Sequence, residues 1–304
     1  MKFKGLILLS SILLLAGCEN FLPPIFNSDS AAQGSKDSAS QADDDPFNLD
    51  YINKKDTSVE FTIRAANNSA ISKTSDEITI STADTYTISG YYNGLIKVTV
   101  DGCTLVLRNA YLEGDNGMAA IYYTPTEKKT GVTIYADANT ENFVTSSDTT
   151  GSKQNAASIF SGRLLTFDGP GKLAVISGGQ HAVKASGIKI KGSGDYYFKG
   201  SEEGSAINCN EYSHKEDIAA KVYLYSAKNG IKADKTIEIL GGFYTLYSLK
   251  TGMKTDDPVY EDDGSTPAAY ISIGSSATLK FHNVETQFKT MEGQLTNEGR
   301  IETF

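Results

Sequence analysis

Ile159, Val183, Ile207 and Ile231 stand 24 residues apart, each among small residues, and this beat constrains the fold more than any other feature of the chain. The contexts read Ala157-Ser158-Ile159, His181-Ala182-Val183, Ser205-Ala206-Ile207 and Asn229-Gly230-Ile231. A second unit recurs with the beat: an alternating strand, a pair of glycines and another alternating strand. It runs from Leu164 to Ile176 around Gly169-Pro170-Gly171, from Ile188 to Lys199 around Gly192-Ser193-Gly194, and from Ile237 to Tyr247 around Gly241-Gly242. A period in the twenties, built of strands with no helical pattern between them, predicts an all-β solenoid whose repeats bury their apolar faces against one another. Gly117-Met118-Ala119-Ala120-Ile121 reads as an early member of the series. A polar insertion from Ser146 to Asn155 separates it from Ile159, and a second insertion from Pro258 to Pro267 carries Glu261, Asp262 and Asp263.

The chain opens with Lys2 and Lys4 before an apolar run from Leu6 to Leu15, too short for a permanent membrane span, so residues 1–17 read as a secretory signal. The run ends in Leu15-Ala16-Gly17-Cys18, which resembles a bacterial lipobox in which Cys18 is acylated and becomes the mature N-terminus. The protein is then expected to be anchored to a membrane through its N-terminal lipid alone, facing the periplasm or the cell exterior. Residues 18–50 are rich in Ser, Ala, Asp, Gln and Pro and read as a disordered tether holding the folded part roughly 30 Å from the membrane. Residues 51–304 read as a single β domain.

The formal charge is −9, and loss of Lys2 and Lys4 with the signal makes it more negative. An acidic chain of this kind does not bind nucleic acid or an anionic membrane surface through nonspecific charge. Cys103 and Cys209 lie in strand-like settings and read as small buried hydrophobes, with a disulfide as the lesser alternative. His181, His214 and His282 fall at no metal-ligand or triad spacing and read as surface or turn residues.

Alignment of the strands that follow each glycine pair sorts side chains by face, because successive side chains of a strand point to opposite sides. Leu173, Val175, Tyr196, Phe198, Val222, Leu224, Tyr244, Leu246, Leu279 and Phe281 share the inward phase. The outward phase holds Lys172, Ala174, Tyr197, Lys199, Tyr223, Tyr225, Thr245, Tyr247, Thr278 and Lys280. With repeats about 4.8 Å apart, Tyr197 is expected above Tyr223 and Tyr225 above Tyr247, a field of tyrosines on one outer face. Aromatic faces stack on the C–H faces of sugar rings, so Tyr197, Tyr223, Tyr225 and Tyr247, with Lys199 beside them, are the candidate glycan-binding residues.

Asn229-Gly230-Ile231-Lys232-Ala233-Asp234 and Thr251-Gly252-Met253-Lys254-Thr255-Asp256 match a tetrad of the D-G-I-K kind followed by an acid, a strand, a glycine turn and another strand. His181-Ala182-Val183-Lys184 and Ser205-Ala206-Ile207-Asn208 are weaker copies. From about Asp76 to Phe281 the chain resembles the bacterial secreted carbohydrate-binding proteins of the right-handed parallel β-helix type. The resemblance implies a right-handed parallel β-helix of about 8 to 10 coils, a polysaccharide ligand of plant or acidic type, and calcium held by acidic side chains. The positions matching such ligands are Asp234, Asp256 and Asp257, with the loop acids Glu261, Asp262 and Asp263. Asn229 and Thr251 stand where the tetrad has aspartate, which removes carboxylates a calcium site would use.

The reading that joins these features is a noncatalytic, monomeric surface lipoprotein that binds polysaccharide. The second reading is an adhesin or structural surface protein with a protein partner. A polysaccharide lyase is the third, and fold analogy alone carries it, because the acids cluster at turns and not across a strand face.

Overall fold

The computed structural model describes residues 56–304 apart from 116, 126–129, 147–156, 249, 257–268 and 292–293. Strands β1 (Thr62–Ala65), β2 (Ile71–Lys73), β3 (Glu77–Ile80), β4 (Thr85–Asn93) and β5 (Leu95–Val98) come first. They are followed by β6 (Thr104–Gly114), β7 (Ile121–Tyr123), β8 (Val132–Ala136), β9 (Glu141–Ser146) and β10 (Ala157–Asp168). Next come β11 (Lys172–Ser177), β12 (His181–Ile190), β13 (Asp195–Lys199), β14 (Ile207–His214) and β15 (Lys221–Ser226). The longest, β16 (Asn229–Ser248), precedes β17 (Thr251–Thr255), β18 (Tyr270–His282), β19 (Thr286–Lys289), β20 (Leu295–Asn297) and β21 (Arg300–Thr303). β1 with β4 and β2 with β3 pair antiparallel, while the repeat strands pair in parallel.

The 24-residue beat is the register of these pairings. Ile159 lies opposite Val183, Val183 opposite Ile207 and Ile207 opposite Ile231. The row extends upstream to Ile121 and Ile96, and downstream to Met253. All seven side chains are fully buried. Six of the seven are β-branched, which fills a similar volume from repeat to repeat, and Met253 is the seventh in this row, the spine of the core.

The expected open right-handed β-helix is corrected by the strand pairing. β6 bonds to β8 through Thr104 to Leu107 and to β9 through Tyr111 to Gly114. β16 likewise bonds to β14 through Ile231 to Ile239 and to β15 through Phe243 onward. Two series, β8-β10-β12-β14 and β9-β11-β13-β15, therefore share a strand at each end. Their pairings close a ring of ten parallel strands, a barrel in its strand topology, with β1 to β5, β7 and β17 to β21 outside it. The physical reason is local: β6 and β16 do not break at the corner between two faces. Asn109 (φ 51°) and Gly242 (φ 82°) take left-handed backbone conformations there, which Asn and Gly adopt at least cost, and the strand runs through.

The glycine pairs exist because backbones of successive repeats approach closely. A Cβ on Gly192 would stand 2.3 Å from the carbonyl oxygen of Gly169, and no side chain fits. The Tyr196 hydroxyl donates to that same carbonyl at 2.8 Å. One polar group of the core is thereby satisfied where two turns meet.

The inward phase is as the alternation predicts: Leu173, Val175, Tyr196, Phe198, Val222, Leu224, Tyr244, Leu246, Leu279 and Phe281 are all buried. Cys103 and Cys209 are buried and unpaired, as small hydrophobes. His214 differs from the surface reading, being only 1% exposed. Its Nε2 donates to the Ile218 carbonyl at 2.9 Å, so the neutral ring offers Nδ1 to the Tyr244 hydroxyl at 2.6 Å. Tyr244 then accepts from the Tyr212 hydroxyl at 2.8 Å. Burial holds the His214 imidazole down to about 4, well below its ordinary 6.5.

Candidate functional site

The outer face of β9, β11, β13 and β15, continued by the ends of β16 and β18, carries three columns of side chains set by register. In the central column Phe143 lies opposite Ala174, Ala174 opposite Tyr197, Tyr197 opposite Tyr223 and Tyr223 opposite Thr245. The Tyr197 and Tyr223 rings stack with centroids 4.5 Å apart and planes within 7°. Upstream, Tyr91 meets Tyr111 at 5.4 Å and Tyr111 meets Phe143 at 4.8 Å, both tilted. Partial burial pushes the Tyr197 hydroxyl up, and the neighbouring Tyr223 adds to the shift. Ala174 departs from the outward reading: it is fully buried between Phe143 and Tyr197 in the column.

One flanking column runs Lys199, Tyr225, Tyr247, His282. The Lys199 ammonium lies over the Tyr225 ring, 5.1 Å from its centroid. Tyr247 stacks on His282 at 4.5 Å, and His282 on Phe304 at 4.7 Å. The other flank alternates charge: Glu141, Lys172, Asp195 and Lys221, then Phe243, which is 53% exposed. Glu141 pairs with Lys172 at 3.0 Å and Asp195 with Lys221 at 4.0 Å. The face is thus an aromatic strip whose bordering charges cancel locally.

All five candidate glycan residues, Tyr197, Lys199, Tyr223, Tyr225 and Tyr247, lie on this one face. Tyr91, Tyr111, Phe143, Phe243, His282 and Phe304 join them and were missed by the sequence reading. His282 carried a usable signal, standing one residue after the inward Phe281 as Tyr247 stands after Leu246. The upstream aromatics carried a weaker one, because the spacing there departs from 24 residues.

The acidic candidates divide. Asp257, Glu261, Asp262 and Asp263 lie outside the described residues. Asp234 and Asp256 sit near one another on a different face, where Asp256 pairs with Lys232 at 2.8 Å and Lys254 at 2.9 Å. Burial would raise the Asp256 carboxyl, yet the two ammonium groups win and hold it below its ordinary value. Asp234 is raised, by burial first and by the Asp256 charge among the further causes. Calcium takes six to eight oxygens, and among the described residues no three acidic, histidine or cysteine side chains converge. This pair does not fit a calcium cage; its lysines already neutralise it. The lysines belong to a column on that face, Lys184, Asn208, Lys232, Lys254 and Lys289 in register.

A family model described as carbohydrate-binding domain-containing protein matches residues 74–296. No curated protein matches the chain. Among solved structures, the polysaccharide lyase-like protein from C. thermocellum, a gadolinium derivative, aligns with 20% identity and a TM-score of 0.47 over 77% of this chain and 90% of that one.

Proposed function

Because the chain belongs to the carbohydrate-binding domain-containing family, we propose that it is a noncatalytic surface lipoprotein that binds a polysaccharide along the aromatic face of β9, β11, β13 and β15. Cys18 carries the lipid, residues 18–50 form the tether, and the folded part faces the periplasm or the cell exterior as a monomer. The observation that carries the reading is the stacked Tyr197 and Tyr223 pair, flanked by Tyr225 and Tyr247, with Tyr111 and the buried Phe143 farther along the column beyond Ala174. Rigid rings presented in a row supply contact area to successive sugar units at little entropic cost. Individually such contacts are modest, about 1 kcal/mol each, so affinity accumulates along a polymer and not on one sugar. Lys172 and Lys221 are held by Glu141 and Asp195, so stacking and hydroxyl contacts, more than charge, supply the binding.

Affinity electrophoresis of the purified protein through gels holding pectin, xylan or soluble cellulose derivatives, with calcium and with chelator, tests the proposal. Retardation in at least one gel that persists in chelator is expected. Free migration in all of them removes the polysaccharide reading for these polymers and favours the protein-partner one. A specific feature supports that second reading: β19, β20 and β21 end the sheet with exposed Leu295 and neighbouring Met291, though Lys289, Arg300 and Glu302 put charge on the same edge.

A further inference from the structure

At the β4 and β6 end of the aromatic column the face folds into a cleft of ≈ 230 Å³. Its lining includes Val59, Asn109, Tyr111 and the largely buried Phe143, with the acids Asp56 and Glu141. Resting on the polysaccharide reading above, we propose that this cleft is a subsite for one uncharged pyranose ring and that it excludes uronate units.

Size comes first. Pockets for drug-sized ligands begin at about 300 Å³, so this cleft is smaller and matches a single ring. Continuity with the column comes second. Tyr111 and Phe143 are at once members of the column and part of the cleft's lining, so a chain stacked on Tyr223 and Tyr197 leads toward it. The aromatic contact is therefore available at the same spot as the polar rim.

The polar rim decides the chemistry. Asp56 accepts from the Ser58 backbone N–H at 3.0 Å and from the Ser58 hydroxyl, both on Oδ1. Glu141 accepts the Lys172 ammonium on Oε1 at 3.0 Å. Asn109 Oδ1 accepts the Glu141 N–H at 3.1 Å, which fixes the backbone that presents the carboxylate. Among the described residues, Asp56 Oδ2 and Glu141 Oε2 keep their acceptor capacity. Ionised carboxylates only accept hydrogen bonds, so they match a ligand rich in hydroxyl donors. A uronate carboxylate placed between them meets the Asp56 charge together with a Glu141 carboxylate that Lys172 already pairs, which leaves the rim acidic.

The test is an aromatic ¹H–¹³C spectrum of the full protein with labelled Tyr and Phe, titrated separately with the methyl glycosides of glucose, xylose and galactose, and with glucuronate at neutral pH. At least one methyl glycoside is expected to shift Tyr111 and Phe143 resonances, and glucuronate to bind about tenfold more weakly or not at all. The exposed-site variant Asp56→Asn, Glu141→Gln, which keeps both shapes, is expected to narrow that ratio to about threefold or less. Glucuronate binding as well as the neutral sugars in the unsubstituted protein, or no shift at Tyr111 and Phe143 with any of the three glycosides, overturns the proposal. Polymer retardation measured on the same sample separates the two readings: retardation without a cleft response removes the subsite and leaves the aromatic face standing.

Discussion

The rings of Tyr197 and Tyr223, 26 positions apart in the chain, stack 4.5 Å apart on the outer face of β13 and β15 because the glycine turns place the two strands in the same phase. Each ring braces the other, so either one offers a ligand a surface that is already ordered. Replacing Tyr223 by Ala is expected to cost about 1 kcal/mol of stability, the usual size of an aromatic cross-strand pair. Denaturant unfolding of the variant measures it, and a loss beyond about 3 kcal/mol would make the pair a core element and not a surface platform.

The isoleucine spine gives the largest expected effect. Ile207 is fully buried and lies in register between Val183 and Ile231, so Ile207→Ala opens a cavity that both neighbouring repeats line. A loss of about 2 to 5 kcal/mol is expected. Ile207→Val, which keeps the β-branch, should cost only about 1 kcal/mol, and unfolding curves of the two variants compare them directly.

Gly192→Ala tests the turn stacking. The added methyl would fall 2.3 Å from the Gly169 carbonyl oxygen, which is backbone and cannot swing aside. The variant should lose the Tyr196 to Gly169 hydrogen bond and unfold at lower denaturant. Gly187→Ala, whose nearest neighbour is the Leu164 side chain at 3.3 Å, is the milder control.

Acid should destabilise the fold through the buried His214 and the partly buried His181. Burial keeps both His214 and His181 neutral, with folded values of about 4 against 6.5 when exposed, and the nearby lysines push His181 down further. Since the folded values are depressed below the unfolded one, this stability is fully present above pH 6.5. It is lost progressively as pH falls from 6.5 toward 4, where the unfolded chain binds protons the folded chain does not. Protonated His214 would have donors on both nitrogens, so the Tyr244 hydroxyl could no longer donate to Nδ1. Urea unfolding at pH 7.5 and 4.5 is expected to show the loss, and His214→Gln should flatten part of it.

Much of the core was legible because a two-residue alternation and a fixed repeat each leave few choices. The buried row from Ile159 to Ile231 and the inward phase from Leu173 to Phe281 follow from those two periods alone. The outward tyrosines were legible for the same reason. Closure of the ten-strand ring was not, because it depends on whether β6 and β16 continue through a corner, a matter of backbone angles at Asn109 and Gly242. Upstream aromatics such as Tyr91 and Phe143 escaped because the repeats there depart from 24 residues. The acids after each tetrad were visible, but the cross-repeat approach of Lys232 and Lys254 to Asp256 exists only once the strands are paired. His214 was misread as a surface residue because nothing local marks the partner, Tyr244, that lies a repeat away.

The most direct test of the central claim is the retardation of the Tyr197→Ala, Tyr223→Ala double variant, beside the unsubstituted protein, in whichever polysaccharide gel retards the latter. The variant, still folded by circular dichroism, is expected to lose about tenfold or more in affinity, and the unsubstituted protein's retardation to change little between low and high salt. Unchanged retardation of a folded double variant would contradict the account and move the binding surface away from the aromatic face.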